Sequence, residues 1–273
     1  MTQTISGSRV KLINLQAIYT LWLREMLRFV RMKSRLIGSL GMPFFFLAFL
    51  SMGFRDARFG VIDADYTNFL TPGIIGMTLL FSSTFTGISV LWDKEFGFLK
   101  EIMVTPVSRS SILLGRIAGG ATTSILEALI ILILAVPLGF DLRGIYGDSS
   151  HRGLVLGMIL ALIFMILIAA TFIAMGVSFA SVMEDMTGYT LIMNFIIFPL
   201  FFLSGALFPV ENLPPAVRVL AFLDPLTYGV DGLRLCFIGE SEIPLALDLL
   251  VLLISSLIML MVGSYLFKHT EVD

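Results

Sequence analysis

The sequence predicts an all-α membrane protein with six transmembrane helices, and three observations carry that prediction. Of 273 residues, 57% are hydrophobic and only 14% charged, against about 45–50% and about 25% in soluble domains. Mean hydropathy is +0.96. The apolar residues fall into six charge-poor runs, each near the roughly 20 residues that a helix needs to cross a hydrocarbon core about 30 Å thick. The connections left over are too short for a large soluble domain. A net charge of −2 argues against a nucleic-acid partner, and one cysteine, Cys236, excludes an internal disulfide or a cysteine-based metal cluster.

Residues 1–35 are expected to form a cytoplasmic amphipathic helix ahead of the spans. Leu12, Leu15, Tyr19, Trp22, Met26 and Phe29 recur at steps of three and four, with Arg24, Arg28, Arg31 and Arg35 about the opposite face. That basic face suits an anionic leaflet. Two readings stay open: an anchor for the first span, or an interface helix, with Trp22 and these four arginines, that also touches a cytoplasmic partner. The segment lacks the early apolar core and small-residue site of a cleavable signal.

The spans follow from charge-free runs, because an ionised side chain at the bilayer centre costs about 2.5 kcal/mol or more on insertion scales. They are expected at about 36–54, 69–92, 117–140, 153–180, 188–208 and 244–267, a transmembrane domain over 36–267 with a cytoplasmic tail, 268–273. Pro43, Pro72, Pro137 and Pro199 lie inside these runs and predict kinks. Twelve Lys and Arg fall on the side that holds both termini and six on the other, so both termini are expected in the cytoplasm. Glu127 is the ionisable group nearest a span centre. An interhelical hydrogen bond aided by Thr123 and Ser124, proton or cation coupling, and substrate contact are all open to it. Asn194 reads as a helix-packing hydrogen-bond group, and Asp248 as interfacial.

The first cytoplasmic loop, 93–111, reads DKEFGFLKEIMVTPVSRSS and mixes charges with core-type residues. Phe98, Leu99, Ile102 and Met103 can share one face of a short helix that Pro106 ends, flanked by Glu95 and Glu101. Such a face needs a groove in a partner, or else the lipid headgroups. Residues 209–243 hold three prolines between Phe208 and Pro215, then apolar stretches too short to span. A pair of short re-entrant helices on the outer rim, with Pro225 between them, accommodates both facts. Small residues allow helices to approach closely, so Gly73, Gly76, Ser83 and Gly87, or Ser204, Gly205 and Ala206, are candidates for a contact between copies.

On these residues the sequence resembles the permease subunits of type-2 ABC exporters, in the branch of daunorubicin-resistance and nodulation-factor permeases. The similarity is carried by FLTPGIIG from Phe69, by Glu95, Gly97 and LxxxxVTPVSR (Leu99, Pro106, Arg109), and by LSGALFPVENLPP followed by LDPLTYGVDGLR. The resemblance implies an interface helix, a coupling helix in the first cytoplasmic loop, and re-entrant helices after the fifth span. It also implies a second membrane half, either another copy or a close relative, and two P-loop ATPase subunits that bind ATP and magnesium. The chain has no GxxxxGK(S/T) phosphate loop, so it is not expected to be an enzyme, and no catalytic, cofactor or metal residue is assigned. The function expected is a permease in the cytoplasmic membrane that exports an amphipathic or hydrophobic molecule such as a drug, lipid or lipid-linked glycan. A secondary transporter or channel working through Glu127 is the alternative.

Overall fold

The computed structural model of the chain describes residues 14–54, 66–97 and 107–269, with Arg35 by its backbone alone. Every regular element among them is a helix or a short 3-10 turn. The helices are α1 (Leu15–Arg31), α2 (Lys33–Gly53), α3 (Tyr66–Glu95), α4 (Arg109–Ala135), α5 (His151–Val182), α6 (Met186–Leu203), α7 (Pro215–Leu223), α8 (Pro225–Ile238) and α9 (Leu245–His269). Six stretches are long and apolar enough to cross a membrane: Leu36–Gly53, Tyr66–Glu95, Arg109–Leu138, His151–Val182, Met186–Leu203 and Leu245–His269. The all-α, six-span architecture predicted from composition is therefore the one found.

Local chemistry explains where the helices begin and end. The side chains of Asn14, Ser108, Ser150, Asp185 and Asp224 accept backbone N–H bonds at the first turns of α1, α4, α5, α6 and α8. Pro215 and Pro225 stand at the first positions of α7 and α8, where a missing N–H is harmless. Gly239 closes α8 at φ 81°, a conformation that favours glycine. Pro43, Pro72 and Pro199 lie within α2, α3 and α6 as expected, whereas Pro137 sits in the 3-10 turn that follows α4. Two helices run past the charge-free stretches of the sequence. α3 continues through Asp93, and α4 begins at Arg109 and takes in Arg116.

α3 is the central helix: 83% of its apolar window is buried inside the chain, against 17% for those of α2 and α9. It packs against α2, α4, α5, α6 and α8. Close approach is made by small residues. A Cβ at Gly73 would strike the backbone of Ala206, one at Gly76 the side chain of Val230, and one at Gly87 both Tyr189 and the backbone of Gly176. Ser83, Ser204 and Ala206 are likewise buried. These residues thus pack helices within one chain, which corrects their expected place between copies. The sequence pattern marks close approach without saying to whom.

α7 and α8 differ more than a pair of rim helices would. α7 lies against α6 with Val219, Leu220 and Leu223 exposed, but every residue of α8 from Leu226 to Ile238 is buried among α3, α5 and α9. Gly229 and Gly232 let α8 press on Ile168 and Phe164 of α5. The first residues of α3, α5 and α9 and the end of α8 mark one end of the bundle, here called distal. The end of α3, the start of α4 and all of α1 mark the other.

Gly73→Ala forces backbone against backbone and is expected to lower stability by about 1–3 kcal/mol. Gly38→Ala, with no atom within 4 Å of its added methyl, is expected to be neutral or to stabilise by up to about 1 kcal/mol. Thermal unfolding of the two detergent-solubilised variants checks the contrast.

Candidate functional site

At the α1 end, the first turn of α1 is tied onto α4. Asn14 caps α1 through bonds from Gln16 N (3.1 Å) and Ala17 N (3.3 Å), and its own N–H donates to Ser111 Oγ at 2.8 Å. Ser111 in turn shares a hydroxyl contact of 2.8 Å with Ser108, the cap of α4. Further along, Trp22 Nε1 donates to Thr122 Oγ1 at 3.1 Å. Gly115 and Gly119 of α4 leave the room that α1 occupies, since a Cβ there would lie 2.8 Å from Leu21 and from Glu25 respectively.

The same contact buries a charge cluster. Asp93, in the last turn of α3, receives Arg24 Nη2 of α1 at 2.6 Å and also a hydrogen bond from Arg116 of α4, with Arg28 at 3.8 Å. Glu25 lies 3.5 Å from both Arg24 and Arg28. Arg116 is only 1% exposed, and its Nε and Nη1 find no acceptor among the described residues. Its charge therefore depends on Asp93. A buried ion pair adds little net stability, but removing one member leaves an uncompensated charge that costs about 3–5 kcal/mol. One carboxylate thus holds α1, α3 and α4 together.

Around this cluster the residues singled out by the sequence are placed as follows. Arg24, Arg28 and Trp22 face α3 and α4 and Arg31 is exposed, whereas Leu15, Tyr19, Leu27 and Val30 of α1 are exposed. The basic face of α1 is therefore not turned wholly to the lipid headgroups, because Asp93 draws two of its arginines inward. Glu95 ends α3 and is exposed. Arg109 opens α4 and donates to the carbonyl of Lys268 at the end of α9. Phe98, Leu99, Glu101, Ile102, Met103 and Pro106 lie outside the described residues, as does the side chain of Arg35.

Glu127 is 2% exposed in the middle of α4 and accepts from Ser39 Oγ of α2 at 2.9 Å. The expected helpers bond elsewhere, Thr123 to the Gly120 carbonyl and Ser124 to Ser82 Oγ. Asn194 is exposed on α6, beside a cavity of about 170 Å³ bounded by Phe81, Thr84 and Phe85 of α3 and by Tyr189. Sequence reading missed Asp93, Arg116 and Glu25 as a site. Arg116 in LLGRIAGG carried a signal: one arginine among apolar and small residues at a span's edge calls for a carboxylate.

Residues 16–238 match the family described as ABC-2 type transporter. The chain belongs to that family. It is therefore the membrane permease part of an ABC transporter and works with an ATPase subunit. Among its relatives, the inner membrane transport permease YadH of Escherichia coli K12 is 26% identical over 87% of this chain and 89% of its own length. Nodulation protein J of Rhizobium leguminosarum is 25% identical over 86% of each chain. The ycf38 protein of Porphyra purpurea is 27% identical over 81% of this chain and 73% of its own.

In this ABC-2 permease, Asp93→Asn strands Arg116 and is expected to destabilise the chain by about 3–5 kcal/mol. Arg109→Gln, at an exposed contact, is expected to change stability by well under 1 kcal/mol. Chemical or thermal unfolding in detergent separates the two. Glu127→Gln keeps an acceptor for Ser39, and transport is expected to persist with its pH dependence unchanged. Loss of transport by a Glu127→Gln chain that is normally assembled would assign the carboxyl to coupling instead.

Proposed function

We propose that this permease is half of the membrane part of an ATP-driven exporter, with α1 and both termini on the cytoplasmic side. The observation that carries the reading is Asp93. It stands immediately before the stretch 96–108 and binds the helices on both sides of that stretch, together with α1. A push delivered there by an ATPase reaches α1, α3 and α4 at once. The charge distribution of the sequence supports the orientation, and similarity to the inner membrane transport permease YadH supports an inner-membrane location.

Phe98, Leu99, Ile102 and Met103 then supply the apolar contact that enters a groove of the ATPase, which binds ATP and magnesium. Glu95 and Glu101 are rim charges, and exposed pairs contribute only about 0 to 1 kcal/mol. Two permease copies, or one with a close relative, work with two ATPase subunits. The exposed α6 face supports this pairing: Leu191, Asn194 and the 82% exposed Phe195 lie there, and a polar Asn facing acyl chains is unfavourable until another helix covers it. The substrate is an amphipathic or hydrophobic molecule, a drug, lipid or lipid-linked glycan, that passes between the α3 and α6 faces of the two halves. The cavity beside Asn194, apolar apart from a few hydroxyl and amide groups, has the lining such a molecule needs.

Burying a Phe side chain is worth about 1.5–3 kcal/mol, so Phe98→Ala is expected to weaken recovery of the ATPase complex or to uncouple hydrolysis from transport. Glu101→Gln is expected to do neither. Reconstitution of both variants with the ATPase, with complex recovery, hydrolysis and transport measured together, checks this. Wild-type behaviour of Phe98→Ala alongside a coupling defect in Glu101→Gln would show that charge, not apolar burial, makes the contact.

A further inference from the structure

The outer surface of the bundle is concave where α4 and α5 run side by side. Toward the α1 end the two helices touch, and a Cβ at Gly120 of α4 would lie 3.0 Å from the Ile173 side chain of α5. Toward the distal end they border a groove of about 570 Å³, lined by Leu129 of α4 and by Leu154, Met158, Leu162 and Met165 of α5. Ala161, small and buried, also lines it and leaves the space open. His151, at the start of α5, is the one polar residue of the lining among the described residues.

The groove has the depth of one leaflet. From His151 to Met165 α5 rises about 21 Å, which covers half of a hydrocarbon core about 30 Å thick and reaches into the headgroup layer. Its volume falls within the range of about 300–1,000 Å³ usual for ligand sites. Arg152 precedes Val155 and Ile159 by three and seven residues, so it shares their face of the helix, at the rim of the groove. Helical side chains lean toward the N-terminus, which carries His151 and Arg152 away from the apolar trough and toward the headgroups. Both are exposed. Arg152 forms no ion pair among the described residues. Asp148, the carboxylate nearest in sequence, is occupied by the N–H and the hydroxyl of Ser150, each at 2.9 Å. A cation in the first turn of a helix opposes the helix dipole, so helix stability does not account for Arg152. An anion beside it would.

We propose that the α4–α5 groove is a binding site for one anionic phospholipid, with an acyl chain along Met158, Leu162 and Met165 and the phosphate held by His151 and Arg152. The apolar trough and the donors at its mouth match the two parts of such a molecule in their order along the membrane normal. The seated chain fills the space between α4 and α5 and joins the distal parts of the two helices, as the Gly120 contact joins them nearer the α1 end. The site goes beyond the coupling and export reading, and it does not depend on which way the chain faces. It shares no residue with the α6 face proposed for pairing.

The test is native mass spectrometry of the full chain, released from detergent after incubation with phosphatidylglycerol or, separately, with phosphatidylcholine. One phosphatidylglycerol per chain is expected to stay bound under activation that strips phosphatidylcholine. The double variant His151→Gln, Arg152→Gln alters exposed positions alone. It is expected to bind phosphatidylglycerol about tenfold more weakly, through loss of charge-assisted hydrogen bonds, and to show no preference between the two lipids. Met158→Trp fills the groove from a position that is 38% exposed, and is expected to retain neither lipid. Leu253→Trp, at an exposed position on α9, is expected to behave as the wild type. Phosphatidylglycerol is also expected to raise the unfolding temperature of the wild type and of Leu253→Trp, but not that of Met158→Trp. The proposal is overturned by a wild type that holds the two lipids equally, by a preference that survives the double variant, or by retention in Met158→Trp equal to that in Leu253→Trp. It is overturned as well by copies of a Val155→Cys chain that cross-link through that residue, which would put a second copy in the groove.

Discussion

The structure turns on one buried ion pair, Asp93 with Arg116. In a medium of low dielectric constant an unpaired guanidinium is far from its preferred state, so wherever Arg116 goes, a carboxylate has to follow. α3 delivers Asp93 only if it runs as a helix to its last turn. α4 delivers Arg116 only if it begins two turns earlier, at Arg109. Arg24 then reaches the same carboxylate from α1, which lays α1 along the glycines of α4. The position of α1 and the antiparallel apposition of the end of α3 and the start of α4 both follow from satisfying one charge.

The distal end is closed by related chemistry with a different balance. Arg234 is also buried with a carboxylate of its own neighbourhood, and the segment carrying it turns back into the bundle. Between the two ends α3, α4 and α5 are held by apolar packing and glycine contacts, while Thr and Ser hydroxyls such as those of Thr78, Thr84, Thr171 and Ser178 bond carbonyls of their own helices. Such hydroxyls need no partner helix. Polar interactions between helices are therefore concentrated where the ends must be fixed, and the middle keeps few constraints, Glu127 with Ser39 being one of them. A bundle built this way can tilt as stiff rods about its ends.

Composition and charge-free runs made the six spans legible, because the cost of burying charge in hydrocarbon is large and local. The same rule failed where charge is paired across the fold. It set the third span to begin after Arg116 and left Asp93 in a loop, because a single sequence shows each charge but not its partner 23 residues away. The arginine spacing expected of a helix over 1–35 meets a helix described over Leu15–Arg31, in which Glu25 and Asp93 decide which arginines turn inward. The glycines of α3 marked close contacts, and tertiary structure alone assigned those contacts to α5 and to the Ala206 backbone. Asp248 read as interfacial from its place in the first turn of its helix, and the structure adds that its side chain is fully buried within the chain.

The central claim is that α1, the end of α3 and the start of α4 move as one body when the ATPase acts on this permease. It is tested most directly by electron paramagnetic distance measurement between spin labels at Leu15 on α1 and Leu114 on α4, both exposed positions, with the buried Cys236 left in place. The permease is reconstituted with its ATPase and measured without nucleotide and with ATP held in an unhydrolysed state. The expected result is one distance distribution, unchanged between the two states. A shift in that distance, or a second population appearing with ATP, would show that α1 slides on α4 and that the Asp93 cluster does not hold them as a unit.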